Sequence, residues 1–522
     1  MAHPDTNAVE AAPSLAEGAK INQIAINLFD PVKNERTVPG HGHGAIIGII
    51  DSGFDLTHPC FFDAQGKTRI LAAWDQVNLG NVTGAAPEPF TYGVEHTKEM
   101  IDQYVADQKI VVIKNDSGAG RHGTAVAGIA AGNGAPDGLH VGIAPEAELI
   151  LVSYRNDVPI GGSPFVLDAI KYILDKARSS QKPVCINISQ GDSLGAHDGA
   201  SLLERAIDHY VEQEGIPVVC SAGNAGGRNR HIKGRVLPGL SSSLIFDLRM
   251  SETRVVNRDA IELWYRREDR FAVALKTSDG WQSQFVQPDS AEVITFPAGM
   301  KASITSETAN PDNGDNRISI ILEHGEGWTA GPWQVILTGK EVIHGDFHAW
   351  ADRPNASTVI SFQQASDDCT ITLPGTSRQI ITVSGFISRP AEGSGEGNVP
   401  GALQPLTSFG LTRDDRVKPD LTAPGFIIIA PEEHVADDIN PLSYFPQMGT
   451  SMAAPHVSGV IALLLALIPD LTAQRVKDAL YSTAHVDSFT GTTPNANWGR
   501  GKLNAGRAYH VLSTSPVKEE QS

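Results

Sequence analysis

The sequence predicts an α/β protein, in which a mostly parallel sheet is flanked by helices, with an all-β sandwich inserted into it. Continuous apolar runs such as GAIIGII at 44–50 are typical of strands buried on both faces. Such runs alternate with segments of helical period, which indicates a parallel sheet covered by helices. Between about 232 and 368 the pattern changes to short alternating segments separated by turn-like clusters, which favours a β-sandwich.

The first part of the chain opens with a polar, Ala- and Pro-rich stretch over 1–40, which we expect to be a loosely ordered lead-in. Strands then follow at 44–50, 149–154 (LILVSY), 183–189 (PVCINIS) and 216–224 (IPVVCSAGN). A helix is predicted over 163–177, where Ser163 is a candidate N-cap and Pro164 takes the first helical position. A second helix over 200–215 is expected to end at Gly215.

The α/β pattern returns after the inserted segment, with a strand at 379–386 and helices at 451–468 and about 472–484. The predicted organisation is therefore two parts of one domain on either side of an insert. The predicted segments are a lead-in at 1–40, a first part at 41–231, an inserted β domain at 232–368, a second part at 369–512 and a tail at 513–522.

Composition excludes several classes of protein. The net charge of −19 argues against nucleic acid as a partner, because phosphate contacts need clustered Lys and Arg. The four cysteines form no CxxC pair, so neither a disulfide framework nor a zinc site is indicated. No basic and apolar leader precedes the domain, and the longest apolar run, 460–468, is about half of a membrane span. We therefore expect no membrane partner and, by default, a cytoplasmic protein. Nothing indicates an oligomeric state.

Three short motifs carry side chains suited to acyl-transfer chemistry. Asp51 ends the strand in IIGIIDSGFDLTHP, His122 begins the small-residue run RHGTAVAGIAAG, and Ser451 lies in GTSMAAPHVSG. Each motif alone has an ordinary structural explanation: a turn aspartate, a packing histidine and an N-cap serine. A serine hydroxyl becomes a useful nucleophile only beside a positioned base. The three motifs together therefore indicate a catalytic site far more specifically than any one of them does.

Their order along the chain, Asp then His then Ser, is that of subtilisin and differs from the order in α/β-hydrolases, which also need a GxSxG elbow. With the further blocks VGIAP, VVCSAGN, LTSFGLTRDDRVKPDLTAPG and WGRGKLNA, the chain resembles the subtilases, the subtilisin-like serine peptidases. The matching blocks cover most of 44–230 and 370–510. The resemblance implies a subtilisin-like parallel sheet.

The resemblance implies roles for residues in these blocks. Asp51, His122 and Ser451 would form the catalytic triad, and Asn224 would donate to the oxyanion hole. Six residues would bind the peptide substrate: Ser189, Gln190 and Gly191 as a strand that pairs with it, and Ser221, Ala222 and Gly223 as the opposite wall. The family's glycines after the first of these strands are replaced by SQGDSLG, which leaves open whether Asp192 selects basic side chains or is a solvated loop residue.

His456 lies only five positions beyond Ser451 and could be mistaken for its base. Five residues of helix turn the side chain by about 140° relative to the first one. We therefore expect His456 to pack in the core, away from the nucleophile.

Asn224 and Ser451 are separated by 227 residues (451 − 224), which is long for a compact subtilase. GNAGGRNRHIKG, THPCFFDAQGKTRILAAWDQ and TITLPGTSRQIITVSG resemble the clostridial Csp-type subtilases, which carry a jelly-roll domain at this place. The resemblance implies that the insert clamps the catalytic domain. It also makes Ca²⁺ a candidate ligand, although AGNGAPDGLHVG does not reproduce the family's usual calcium loop. The lead-in would be short for a folded propeptide, which leaves a short propeptide as one interpretation.

The sequence thus predicts a serine endopeptidase acting on a protein or peptide substrate, with no metal or other cofactor needed for the chemical step. The alternative is a non-catalytic scaffold or regulator on the same fold. A serine esterase is a third candidate.

Overall fold

The computed structural model describes residues 18–79, 82–115, 121–136, 138–156, 160–250, 258–297, 299–323, 330–352, 358–389, 398–434 and 444–514. The predicted tail at 513–522 lies outside these residues except for the last two positions of a helix, and so do residues 1–17 of the predicted lead-in.

An eight-stranded sheet forms the centre of the first described unit. Seven strands run parallel, and the edge strand Val94–Thr97 runs antiparallel to its neighbour. In sheet order the strands are Leu421–Phe426, Ile381–Ile387, Val218–Ser221, Val184–Ile188, Ile46–Asp51, Glu148–Ser153, Ile70–Asp75 and Val94–Thr97. The chain leaves Ile46–Asp51 to one side and later returns to its other side, and a crevice at the carboxyl ends of such strands is where ligands bind in open α/β sheets.

Helices cover both faces of this sheet, as the apolar runs predict. Arg121–Ala131 and Thr450–Leu467 pack with one buried apolar cluster, and Pro164–Ser179 and Leu202–Glu214 pack with a second cluster on the other face. The remaining described helices are Gly18–Ala25, Lys98–Ala106, Ala473–Ser482 and Ala505–Thr514, with short 3₁₀ turns at Pro59–Phe61 and Ile160–Gly162. Four small antiparallel pairs complete the unit: Phe29–Asp30 with Glu35–Arg36, Gly53–Asp55 with Val112–Lys114, Asn133–Gly134 with His140–Val141, and Ile428–Pro431 with Tyr444–Gln447.

The predicted caps of two helices are confirmed. The Ser163 hydroxyl accepts the Val166 N–H in front of Pro164–Ser179, which satisfies one of the free donors of the first turn. Leu202–Glu214 ends at Gly215, whose φ of 68° is the left-handed conformation that terminates helices.

The helix Thr450–Leu467 is long and apolar enough to span a membrane by length and composition alone. In the structure, however, 83% of that window is buried, and the helix packs between the sheet and its neighbour Arg121–Ala131. It is therefore the central core helix of the α/β unit, and its first turn carries Ser451.

The inserted unit is an all-β sandwich, as predicted. In sheet order, the strands of one sheet are His231–Arg235, Asp346–Ala351, Arg258–Tyr265, Asn316–Glu323, Lys301–Glu307 and Ala291–Thr295. Those of the other are Arg270–Lys276, Gly331–Glu341, Ser241–Met250 and Thr358–Phe362. All neighbouring pairs are antiparallel. Their inner faces share one apolar core that includes Phe246, Phe271 and Trp333. That the strand connections form a jelly roll stays a prediction.

A polar contact holds the sandwich against the α/β unit. The Arg413 guanidinium, whose side chain is only 10% exposed, bridges Asp198 of the α/β unit and Asp315 of the sandwich at 2.7 Å each. Asn313 of the sandwich also donates to Asp198 at 2.8 Å. Because a mostly buried arginine that bridges two carboxylates is better defined than an exposed ion pair, this contact supports the prediction that the insert clamps the domain.

The prediction of a loosely ordered lead-in is wrong for its described part. Residues 18–40 include the helix Gly18–Ala25, and the fully buried side chains of Ile26 and Leu28 belong to the main core. Gln23 donates through its amide to the carbonyl of Val141 at 2.9 Å. The helix buries the polar side chains of Asn22 and Gln23 and exposes Ile24, so its apolar residues show no helical period in the sequence, and only packing against the core reveals its role.

Candidate active site

Asp51 lies at the carboxyl end of a central strand. The strand Ile46–Asp51 pairs in parallel with Glu148–Ser153 and Val184–Ile188, and Asp51 is fully buried. Its Oδ1 accepts the Ser52 N–H at 2.7 Å and the Ser52 hydroxyl at 3.2 Å. Since a buried carboxylate is costly unless it is hydrogen-bonded or paired, this oxygen is the natural acceptor for a further donor.

His122 supplies that donor from the first turn of Arg121–Ala131. Its Nδ1 lies 2.7 Å from Asp51 Oδ1, and its side chain is 31% exposed. Because an ionised carboxylate only accepts hydrogen bonds, Nδ1 carries the proton and Nε2 is left as an acceptor. The arrangement orients an imidazole whose second nitrogen can take up a proton.

Ser451 is the second residue of Thr450–Leu467. Its hydroxyl donates to the Ser189 carbonyl at 3.2 Å, and the Ser189 hydroxyl donates to the Ser451 carbonyl at 2.9 Å. This reciprocal pair ties the first turn of the core helix to the end of the strand Val184–Ile188. Ser451 is 9% exposed and lines the same cavity as His122.

Asn224 lies across from the start of that helix. Its Oδ1 accepts the Thr450 N–H at 3.0 Å, so the amide Nδ2 is turned toward Gly449. Gly449 has a φ of 141°, and a Cβ built on it would lie 3.3 Å from Asn224 Nδ2. The N-cap residue Gly449 provides no side-chain cap. Of the first three N–H groups of the helix, Asn224 accepts that of Thr450 and the Gly449 carbonyl accepts that of Met452, which leaves the Ser451 N–H available to an acceptor. Because Gly449 has no side chain, both the Asn224 amide and the backbone N–H at the start of the helix stay unobstructed.

A cavity of about 630 Å³ joins these side chains. Of the residues predicted from sequence, eight line it: His122, Ser189, Gln190, Gly191, Ser221, Gly223, Asn224 and Ser451. Asp51 is buried behind His122. Ala222 is fully buried, and its backbone donates to Val383 and accepts from Thr372 at 2.9 Å each, so it supports the wall from behind.

Asp192 does not belong to the lining of this cavity among the described residues. Its Oδ1 accepts the Leu194 N–H of its own loop at 3.0 Å, and its backbone pairs with Leu373. The structure thus favours the loop interpretation of this aspartate. The cavity is lined instead by two basic side chains, Arg228 and Arg230, which the sequence pattern does not single out.

Thr372 is a lining residue that sequence reasoning missed. A Cβ on Gly191 would lie 2.4 Å from the Thr372 hydroxyl oxygen, and one on Gly223 would lie 2.6 Å from its methyl group. Thr372 therefore fills the space between the two predicted substrate walls, which explains why both positions require glycine. Its place 149 residues after Gly223 (372 − 223) leaves no local sequence signal.

Gln190 is directed differently from its predicted role as part of the substrate strand. Its Nε2 lies 2.9 Å from Asp51 Oδ1 and 3.2 Å from His122 Nδ1. The amide thus donates to the same carboxylate oxygen that holds the imidazole. Since hydrogen bonds to a charged group are among the stronger ones, Gln190 is a positioning residue for the Asp51–His122 pair.

We expect Gln190→Met, which keeps the length of the side chain and removes the amide, to lower the rate of any reaction that uses His122 as a base. The expected decrease in kcat is about 10-fold, the equivalent of roughly 1.4 kcal/mol, with little change in KM. Steady-state kinetics of the two proteins measure kcat and KM separately. An unchanged kcat in a folded variant would show that the contact only fills space.

His456 behaves as predicted. It is 1% exposed, and its Nδ1 lies 2.8 Å from the Met452 carbonyl one turn earlier. Burial lowers the pKa of His456 to about 4, although the hydrogen bond opposes this shift. The ring is thus a neutral core side chain that donates to the helix backbone.

A second Asp–His pair ties His434, shortly after the strand Ile428–Pro431, to the end of the strand Gly53–Asp55. Asp55 is fully buried, and it accepts both the His434 backbone N–H at 2.9 Å and the ring Nδ1. Burial raises the pKa of Asp55, but the hydrogen bonds and charge of His434 outweigh it, so the net pKa is lowered. The same side-chain hydrogen bond raises the pKa of His434 against the effect of burial.

This pair predicts a pH-dependent part of the stability. Because the pKa of His434 is raised in the folded protein, its protonated imidazole contributes its full stabilisation below the ordinary pKa of 6.5. This contribution is lost as the pH rises through the raised pKa. Because the pKa of Asp55 is lowered, its ionised carboxylate contributes its full stabilisation above the ordinary pKa of 3.8. This contribution is lost as the pH falls through the lowered pKa. We therefore expect His434→Gln to reduce the free energy of unfolding most between these limits, by roughly 3 kcal/mol, and less at alkaline pH. Urea unfolding of both proteins near pH 5.5 and pH 9 measures this, and an equal loss at both would contradict the ion-pair explanation.

The chain belongs to the subtilase family. The family model for subtilases matches residues 42–245 and 352–505, which enclose most of the α/β unit and leave out most of the sandwich.

Known proteins extend this likeness. C5a peptidase of Streptococcus pyogenes serotype M1 is 25% identical over 471 residues, covering 84% of this chain and 36% of that protein. Minor extracellular protease Vpr of Bacillus subtilis (strain 168) is 26% identical over 488 residues, covering 90% of this chain and 52% of that protein. The chain therefore spans only about a third to a half of the length of these relatives. The structure of the Clostridium perfringens CspB protease superposes with a TM-score of 0.76 at 24% identity, covering 96% of this chain and 99% of that one. The predicted Csp-type fold, including the inserted β domain, is confirmed.

Proposed function

We propose that the chain is a serine endopeptidase, which hydrolyses peptide bonds through an acyl-enzyme formed on Ser451. The observation that carries this proposal is the 2.7 Å contact between Asp51 and His122 beside a cavity that Ser451 and Asn224 also line. Membership of the subtilase family supports it, as do relatives that are themselves named peptidase and protease.

In the proposed reaction His122 Nε2 takes the proton of Ser451 as the hydroxyl oxygen attacks the substrate carbonyl carbon. The imidazolium then protonates the leaving amine, the C–N bond breaks, and water repeats the sequence on the acyl-enzyme. Asp51 keeps the Nδ1–H tautomer and stabilises the imidazolium. The Ser451 hydroxyl must turn from the Ser189 carbonyl toward His122, and such catalytic hydrogen bonds commonly tighten only when substrate is bound.

Negative charge on the substrate oxygen would be stabilised by Asn224 Nδ2 and by the Ser451 backbone N–H. The contact of Asn224 Oδ1 with Thr450 N–H fixes the amide before reaction, so no reorganisation is needed at that moment. The N-terminus of the core helix adds a favourable dipole at the same place.

A protein or peptide is the proposed substrate. The backbone at 189–191 would pair with an extended peptide as an added strand, and Gly223 faces it across the cavity with Thr372 between them.

Labelling with a serine-directed fluorophosphonate, followed by mapping of the adduct, tests the proposal. We expect one adduct on Ser451 in the wild-type chain and none in Ser451→Ala. Absence of label on wild-type Ser451 would instead favour the non-catalytic scaffold. Comparing matched peptide and ester substrates separates an endopeptidase from an esterase, because only the former cleaves the peptide.

A further inference from the structure

Two histidines and one cysteine converge at the junction between the α/β unit and the inserted sandwich. One ring nitrogen each of His231 and His348 and the Cys369 sulfur all lie within 4.8 Å of one another. They come from the first strand of the sandwich, from its antiparallel partner Asp346–Ala351, and from the segment that returns to the α/β unit. None of them belongs to the cavity around Ser451.

The strand register brings the two imidazoles together. His231 is opposite Trp350, and Lys233 is opposite His348, so the histidines are diagonal neighbours on the same face of the sheet. His231 Nε2 lies 3.0 Å from His348 Nδ1. Two imidazole nitrogens bound to a tetrahedral Zn²⁺ at 2.0–2.1 Å are about 3.4 Å apart, so only a small outward movement is needed to admit an ion.

The surroundings of His231 Nδ1, the nitrogen that faces away from His348, suit a ring whose Nε2 binds a metal. His231 is fully buried, and its Nδ1 has no hydrogen-bond partner, while the nearest carboxylate oxygen, Asp368 Oδ1, is 3.6 Å away. Asp368 is itself held by Lys233 and Ser366. A carboxylate behind a ligating histidine fixes the tautomer that leaves the other nitrogen free for the metal.

The remaining surroundings are largely aromatic. Trp350 stacks on His231 and His348 at centroid distances of 4.9 and 5.5 Å, and its Nε1 donates to the Cys369 carbonyl at 2.8 Å. Cys369 is 4% exposed and is a free thiol. His348 is half-buried, so an ion can reach the group from that side.

We propose that His231, His348 and Cys369 bind one Zn²⁺ ion, with water as the fourth ligand. Imidazole and thiolate together select Zn²⁺ over the oxygen-seeking Ca²⁺ and Mg²⁺. On binding, two N–Zn bonds and one S–Zn bond form, and the thiol proton passes to solvent. The sequence prediction of no zinc site rested on the absence of a CxxC pair, whereas these ligands are 117 and 21 residues apart in the chain (348 − 231 and 369 − 348).

The ion would tie the incoming strand of the sandwich to its return segment. Thr372, three residues beyond Cys369, lines the candidate active-site cavity, so the zinc site would also hold that wall in place. The role is structural, and it does not depend on whether Ser451 reacts.

Titration of the metal-free full-length chain with Co²⁺ tests the proposal. We expect about one equivalent to bind with tetrahedral d–d bands and a sulfur-to-cobalt charge-transfer band, and Zn²⁺ should displace it. Cys369→Ser should lose the charge-transfer band, and His348→Gln should weaken binding by about 100-fold or more. Zn²⁺ should raise the unfolding temperature of the wild type but not of His348→Gln.

Matched controls separate this site from other thiols and imidazoles. Cys185→Ser and the exposed His209→Gln should bind Co²⁺ as the wild type does, and so should Ser451→Ala, whatever its activity. If Cys369→Ser does not fold, His348→Gln, at a half-buried position, still decides the question. A wild-type chain without the charge-transfer band, or with a band that persists in Cys369→Ser, would overturn the proposal and leave a His231–His348 hydrogen bond as the explanation of the cluster.

Discussion

Ser451→Ala is expected to lower kcat for peptide hydrolysis by about 10⁶-fold, which is the scale known for loss of the nucleophile in subtilisin itself. The residual rate would come from the oxyanion donors and from substrate binding, which the variant keeps. Removal of one hydroxyl oxygen should leave KM and the unfolding temperature close to those of the wild type, because its hydrogen bond to Ser189 spans 3.2 Å and is a weak one.

Steady-state hydrolysis of a quenched fluorescent peptide library measures this change. Substitution of Ser458, a buried helix residue that donates to Asn187 at 2.9 Å, offers a matched control, since Ser458→Ala removes a hydroxyl from the same helix away from the cavity. Undiminished cleavage by Ser451→Ala would exclude Ser451 as the nucleophile.

The second large effect distinguishes the two histidines near the nucleophile. His122→Ala is expected to lower kcat by about 10⁶-fold as well, because a serine without its base is as ineffective as a base without its serine. His456→Gln should keep kcat near the wild-type value and lower the free energy of unfolding by about 1 to 2 kcal/mol, since it disturbs a fully packed site. A glutamine can still donate to the Met452 carbonyl.

Both variants are to be compared by acylation with a fluorophosphonate and by urea unfolding. Loss of acylation in a well-folded His456→Gln protein, or its retention in His122→Ala, would reverse the assignment of the base. The double variant Ser451→Ala/His122→Ala should be no slower than either single variant, because residues that act as one unit are strongly non-additive.

Local patterns were sufficient where a property depends on neighbours along the chain. The cap at Ser163 and the terminating glycine at Gly215 follow from side-chain and backbone preferences of single turns, and both are present in the structure. The burial of His456 followed from the angle per residue of a helix, which does not depend on the remainder of the protein.

Local patterns failed where the partner comes from a distant segment. Gln190 lies in a motif that the resemblance assigns to substrate, yet its amide donates to Asp51, 139 residues earlier. Residues 18–40 appear polar and unordered in sequence but contribute Ile26 and Leu28 to the core. In both cases the role of the residues depends on a segment that is distant in the sequence and adjacent in the fold.

The sequence by itself determined the fold class, the subtilase family and the residues suited to acyl transfer, because strand and helix periods and ordered motif blocks are properties of contiguous residues. Only the tertiary structure decided which groups meet: Gln190 with Asp51, Thr372 between two glycines, and Cys369 with two histidines of the inserted sandwich. Hydrogen bonds and metal coordination act over about 2 to 3 Å. A chain that folds through an inserted domain can bring any two of its segments to that distance.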